Sequence, residues 1–240
     1  MHHKQVFDHG ILINRGSTDR SVEMCRIFAP NWEVRNSRVP EFDAEQVDNE
    51  VMDIESEVTG WKMTLNTTEF LCYPNKTEFF NSLNELKKRI YAIRMILMAD
   101  PLNYEYRNPR YSIPLVEQRF HGYFPHNPHP GKSWRLIHDY KSGEYTPGRH
   151  SSAYSFQLYP SPAFVLKFYF SPWNDQMKRR RLQIAPTLSK RWSALTSFYG
   201  TSLEELEEKF IGTAEHTQDL RLNPEYQAVF LTKNKFTWEE

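Results

Sequence analysis

The spacing of apolar residues changes from segment to segment along the chain, and each spacing predicts an element. Phe79, Leu83, Leu86, Ile90, Ile93 and Leu97 recur at gaps of three and four, the period of one helical face. The stripe predicts one long helix, capped by Thr77 or Asn75 and ended by Asp100-Pro101, with Lys87, Lys88 and Arg94 turned outward. Residues 60–73 alternate in part, with Trp61, Met63 and Leu65 on one side, as in a half-buried strand. Nine of the 15 prolines fall between positions 101 and 162, which predicts loops, short helices and hairpin-like pieces there. Residues 156–170 are rich in aromatic and branched side chains but are interrupted by Pro160 and Pro162. A helix is expected from the turn at 172–175, carrying Lys178, Arg179, Arg180 and Arg181. Another follows Pro186, with Leu188, Trp192, Leu195, Phe198 and Tyr199 inward and Gly200 as its stop. Ser202 and Glu205 form a capping box for a third, with Leu203, Leu206 and Phe210 inward and Gly212 closing it. Both ends of the chain are apolar without a clear period. Val6, Phe7, Ile11 and Leu12 mark one, and Tyr226, Val229, Phe230, Leu231, Phe236 and Trp238 the other. They read as arms that need a surface to lie against.

Composition narrows the class. The 240 residues are 39% hydrophobic and 15% aromatic, too apolar for a disordered chain. Only 9 glycines argue against a glycine-rich nucleotide fold. No apolar stretch is long enough to span a bilayer, and no apolar segment of a secretory signal follows the start. Cys25 and Cys72 do not make a disulfide framework, so a cytosolic chain is expected. The sequons at Asn66 and Asn75 then read as chance.

Net charge is zero, but the charges are segregated. Residues 41–57 carry eight acids (Glu41, Asp43, Glu45, Asp48, Glu50, Asp53, Glu55 and Glu57) and no Lys or Arg. Without those eight, the chain's 30 basic residues would face only 22 of its 30 acids. Bases cluster at Lys87, Lys88, Arg89 and Arg94, then at Lys178 to Arg181, then at Lys190 and Arg191. A basic body with one acidic segment suits a polyanion binder. The acidic stretch is expected to be an exposed loop that tempers nonspecific polyanion binding.

Catalytic patterns are weaker. His121, His126, His129 and His138 gather in one region, but Pro128 divides the closest pair and no cysteine is near in sequence. Gly131-Lys132-Ser133 resembles the end of a phosphate-binding loop, yet His126 occupies the position where that loop requires glycine. Glu117, Asp139 and Lys141 fit a metal-dependent nuclease loosely. Serine nucleophile elbows and the helical zinc-protease motif are absent from the sequence. No catalytic residue, metal or cofactor is therefore assigned. RNA binding asks only for bases along a groove and aromatic faces for splayed nucleobases. Tyr91, Tyr154, Phe168, Tyr169 and Trp173 lie among the basic segments.

Order and spacing add a resemblance. Arg26-Ile27-Phe28, Gly60-Trp61-Lys62-Met63-Thr64-Leu65, Pro114-Leu115-Val116-Glu117-Gln118 and Phe156-Gln157-Leu158-Tyr159-Pro160 follow one another, with a basic helix after the last. These blocks are similar, in order, to blocks of orthobunyavirus-type nucleoproteins. The resemblance implies a mainly α fold: two helical lobes with a few short strands, an RNA groove between them, and N- and C-terminal arms. The implied boundaries are an arm at 1–15, lobes at 16–120 and 121–222, and an arm at 223–240. The implied groove residues are Arg35, Arg38, Lys62, Lys87, Lys88, Arg89, Arg94, Lys178, Arg179, Arg180 and Arg181, with Lys190 and Arg191 extending it. Oligomerisation would use Phe7, Ile11, Leu12, Val229, Phe230, Leu231 and Phe236. The implied function is encapsidation of single-stranded viral genomic RNA by a homo-oligomer of four or more copies, presented to a viral polymerase in the virion interior and host cytoplasm. A metal-dependent nuclease and a protein-interaction module without nucleic acid are the alternatives. The chain departs from the family in its neutral charge and in the longer segment that holds the eight acids.

Overall fold

A ten-residue apolar run with a single charge, Arg94, decides the architecture. The computed structural model describes residues 2–125, 134–195 and 200–230. In chain order its elements are α1 (His2–Val6), β1 (Ile11–Asn14), α2 (Ser21–Phe28), β2 (Glu33–Asn36), α3 (Ala44–Glu55), β3 (Lys62–Met63), β4 (Glu69–Cys72), α4 (Lys76–Glu85), β5 (Ile90–Ala99), β6 (His121–Tyr123), β7 (Trp134–His138), β8 (Gln157–Leu158), β9 (Phe164–Phe170), α5 (Asp175–Leu182), α6 (Leu203–Ala214), β10 (Gln218–Asp219) and α7 (Pro224–Phe230).

The expected long helix is therefore a helix and a strand. Asn75 does cap α4, its side chain accepting from the Glu78 amide at 3.1 Å. But Leu86 is already extended, with ψ near 149°. Ile90, Tyr91, Ala92, Ile93, Met95, Ile96, Met98 and Ala99 are all at most 1% exposed, so β5 is buried on both faces. A run apolar at nearly every position satisfies a helical period as well as any other. The helical stripe through Ile90, Ile93 and Leu97 is such a coincidence.

Four strands bond to β5. Along one edge β7 and then β6 pair antiparallel with it. Along the other, β8 and then β9 pair parallel. With β4 beside β9, β3 beside β7 and β10 beside β6, the sheet has eight strands. The fold is mixed α/β, 35% helix and 22% strand. This overturns the mainly α expectation and its two helical lobes. The boundary placed at residue 120 cuts through one sheet, because β6, β7 and β9 bond to β5 and β4 from the other side of it.

Each face of the sheet has its own apolar cover. Leu71, Ile93, Met95, Ile137 and Val165 pack with Val6, Phe79 and Leu83 from α1 and α4. Cys72, Ile96, Met98, Phe164, Leu166 and Phe168 pack with Tyr226, Val229 and Phe230 of α7. Leu206 and Phe210 of α6 close on Ala99 and Phe170.

Other expectations shift with the sheet. The acidic segment is not a loop: Asp43 caps α3 by accepting from the Gln46 amide at 3.1 Å. The helix expected after Pro186 is two short 3₁₀ segments, Ala185–Thr187 and Lys190–Leu195. Leu188 divides them by bridging to Phe42. The Ser202 cap holds, but α6 runs past Gly212 to Ala214. Phe198, Tyr199 and Trp238 lie outside the described residues.

The strand assignment is testable at neighbouring positions. Ile96 is fully buried while Leu97 is half-buried, the reverse of what the helical stripe implies. Ile96→Ala should lower stability by about 2–5 kcal/mol in urea unfolding, clearly more than Leu97→Ala. The opposite order would restore the helix.

Candidate nucleic-acid interface

Lys167 is the one charge in the apolar run of β9, and register places it between Glu69 of β4 and Leu97 of β5. Glu69 is fully buried and Arg135, on β7, nearly so. Arg135 donates two hydrogen bonds to the Glu69 carboxylate, from Nε and Nη2, each 2.7 Å. The Asn66 amide and side chain donate to it as well, at 2.9 and 3.0 Å. Lys167 Nζ stands 3.6 Å from the same group. In a flat sheet β4 and β7, with β9 and β5 between them, would lie about 14 Å apart in the hydrogen-bonding direction alone. The sheet must curl for Arg135 to reach Glu69, and the polar cluster occupies the concave face. Burial raises the Glu69 pKa, but the Arg135 charge and hydrogen bonds, with Lys167, outweigh it and bring it to about 2.

A third cation, buried like Arg135, comes from α5. Asn174 caps this helix by accepting from the Met177 amide at 3.0 Å. That start turns Met177 and Arg181, four residues apart, inward and leaves Arg179 and Arg180 exposed. Arg181 is 6% exposed and stacks on Tyr169 and Phe170, 4.1 and 4.8 Å from the ring centroids. Lys167 Nζ lies 5.8 Å from the same Tyr169 ring. Among the described residues Arg181 Nε and Nη2 have no hydrogen-bond partner. Arg135 and Lys167 thus share one carboxylate, and Arg181 stands on the same aromatic ring as Lys167 with no ion pair among the described residues. His150 beside Arg135 adds no charge, since burial and then the Arg135 charge push its pKa down to about 3. The arrangement favours an anion.

The residues expected in a groove are dispersed and mostly neutralised. Arg35 pairs with Glu33 and Glu57, and Arg38 with Asp53 and Glu50. Arg89 pairs with Asp139, Arg94 with Glu225, Lys178 with Glu207 and Arg191 with Glu45. Lys62 is buried, donating to the Val58 and Gly60 carbonyls. Lys87, Lys88, Arg179, Arg180 and Lys190 are exposed and make no ion pair among the described residues. Lys87 to Arg89 precede β5 while Lys178 to Arg181 follow the parallel strand β9, so about 30 Å of sheet separates them. Of the aromatic candidates, Tyr91 and Phe168 are buried and Tyr154 stacks on Tyr140 at 3.9 Å. Trp173 stacks on Phe210 at 4.4 Å as well, which leaves Tyr169, beside α5. Glu69, Arg135 and Lys167 escape the sequence reading, although a lone charge in an apolar strand run is their signal.

The expected arms lie against this chain. The His2 ring bonds the Leu71 carbonyl at 2.7 Å, and β1, with Ile11 and Leu12, pairs parallel with β2. Phe7 packs beside Val6. Val229 and Phe230 are buried, while Leu231 and Phe236 lie outside the described residues. Glu117 and Asp139 sit toward opposite ends of β5, so the nuclease set with Lys141 is not assembled. His121 accepts from or donates to Tyr106, and His138 contacts Tyr145; His126, His129 and the segment Gly131-Lys132-Ser133 lie outside the described residues. Among the described residues no three His, Cys, Asp or Glu side chains are grouped to hold a metal ion. No helix there is long and apolar enough to cross a membrane.

Fold and site together define an α/β chain with a cation-rich, aromatic-lined face on a curled sheet. No family model matches the chain, and no curated protein shows significant similarity to it.

The Glu69 carboxylate makes a prediction about acid. Its pKa in the fold, about 2, lies below the ordinary 4.5. Its stabilisation is full above pH 4.5 and disappears as the pH falls toward 2, an effect on the order of 3 kcal/mol. Urea unfolding across that range should show the loss. Glu69→Gln should be less stable at neutral pH and lack that part of the acid slope.

Proposed function

We propose that the chain is a binding protein for single-stranded RNA, tolerant of sequence, and that α5 is its contact. The observation that carries the reading is the row Arg179, Arg180 and Arg181, which makes no ion pair among the described residues and continues inward to Lys167. Exposed guanidinium groups suit backbone phosphates, and Tyr169 offers an aromatic ring beside them. The neutral net charge is no obstacle, because Glu45, Asp48, Glu50, Asp53 and Glu57 of the acidic segment pair with arginines outside α5. Assembly of copies along RNA and presentation to a viral polymerase rest on the block resemblance alone. The described parts of the terminal segments, packed on this chain itself, lend those steps no geometric support.

Reversing Arg179 and Arg180 together to Glu should weaken binding of single-stranded RNA. It should also lower the slope of log affinity against log salt by about 0.7 for each phosphate the protein no longer neutralises. The same reversal at Arg35 and Arg38, already paired with acids, should do much less. Equal effects at the two places would remove α5 from the site. Fluorescence anisotropy over a salt series measures both.

A further inference from the structure

Resting on the RNA reading, we infer that the cation cluster of Arg181 and Lys167 around the Tyr169 ring takes a terminal phosphate monoester, the 5′ end of an RNA strand. Charge is the first argument. Arg135 and Lys167 meet at Glu69, and Arg181 joins them across the Tyr169 ring without an ion pair of its own among the described residues. The two Glu69 carboxylate oxygens are already engaged by Arg135. With exposed Arg180 on the rim, the excess matches a dianion better than the single charge of a phosphodiester. The second argument is the buried guanidinium. Only 6% of Arg181 is exposed, and its Nε and Nη2 point two donors at no acceptor among the described residues. A buried donor left in that state is costly, and an incoming oxyanion satisfies it with charge-assisted hydrogen bonds.

Geometry then selects an end over a middle. A phosphodiester within a strand has a nucleotide on each side, and both would have to enter with it to bring oxygens to a side chain this deep. A terminal phosphate enters alone. Lys167, its side chain 22% exposed, and exposed Arg180 are the cations of this cluster nearest to solvent. The aromatic ring that carries both inner cations, Tyr169, gives the first nucleobase a surface just outside.

The test compares two versions of one single-stranded RNA of about ten nucleotides, with a 5′-phosphate or a 5′-hydroxyl, by fluorescence anisotropy. Wild-type protein should favour the phosphorylated strand by about tenfold or more. Arg181→Met should bring the ratio of affinities toward one. Lys167→Met should do the same, and it decides the matter if the Arg181 variant fails to fold. Inorganic phosphate should compete with the phosphorylated strand more than with the other. Wild-type protein that binds both strands equally overturns the phosphate-end assignment and leaves the RNA reading standing. Inorganic phosphate binding without any preference between the strands overturns it as well. Protein that binds neither strand overturns both.

Discussion

A strand bonded on both edges and buried on both faces can hold almost no charge, and β5 holds only Arg94, at an exposed position. From that constraint the rest of the sheet follows. Neighbouring strands must continue the apolar layer wherever helices cover it, and they do so over one half of the concave face. There Leu71 of β4, Val165 of β9 and Ile137 of β7 lie under α1 and α4. One inward position further along each strand, the same three strands present Glu69, Lys167 and Arg135. Side chains two apart share a face, so the switch from apolar to charged occurs as a band across the sheet. The site begins where the cover ends.

The acidic segment takes a different part from a free loop. Within α3, Asp48 receives the Gly148 amide and Arg149, and Glu50 receives the Arg38 amide and the Ser37 hydroxyl. Glu55 receives Tyr145 at 2.7 Å, the Gly143 amide at 2.8 Å and Thr64 at 2.9 Å. A Cβ at Gly143 would sit 2.1 Å from the Tyr145 ring, so this approach needs glycine. Buried carboxylates that accept this many donors fix a loop against a helix. Asp53, Glu57 and Glu45 meanwhile neutralise Arg38, Arg35 and Arg191. A zero net charge is thus spread unevenly: saturated around α3, in deficit around α5.

Local signals in the chain are legible where local chemistry decides. Asn75, Ser202 and the turn before α5 start helices because a side-chain oxygen meets an amide two or three residues on. Periodicity fails at Ile90 to Ala99, because a run that is apolar throughout carries no phase. Charge patterning fails at 41–57, where acids read as solvent-seeking find partners far away in sequence, at 143–149. The basic helix is visible as a row of arginines. Its buried member is not, since only the fold shows that the pitch of α5 turns Arg181 onto Tyr169. The concave cluster is hidden for the same reason: its members come from three strands whose adjacency is a property of the sheet.

Stability alone does not account for that cluster. Desolvating a guanidinium costs several kcal/mol, and a hydrogen-bonded counter-charge is what ordinarily offsets it. Arg135 has such a partner in Glu69, which explains its burial. Arg181 has ring faces instead, and cation–π contacts return about 2 kcal/mol at most sites of this kind, short of the desolvation. A methionine or leucine there would fill the space between Tyr169 and Phe170 without the penalty. A buried guanidinium with two partnerless nitrogens among the described residues is one whose desolvation an oxyanion would offset.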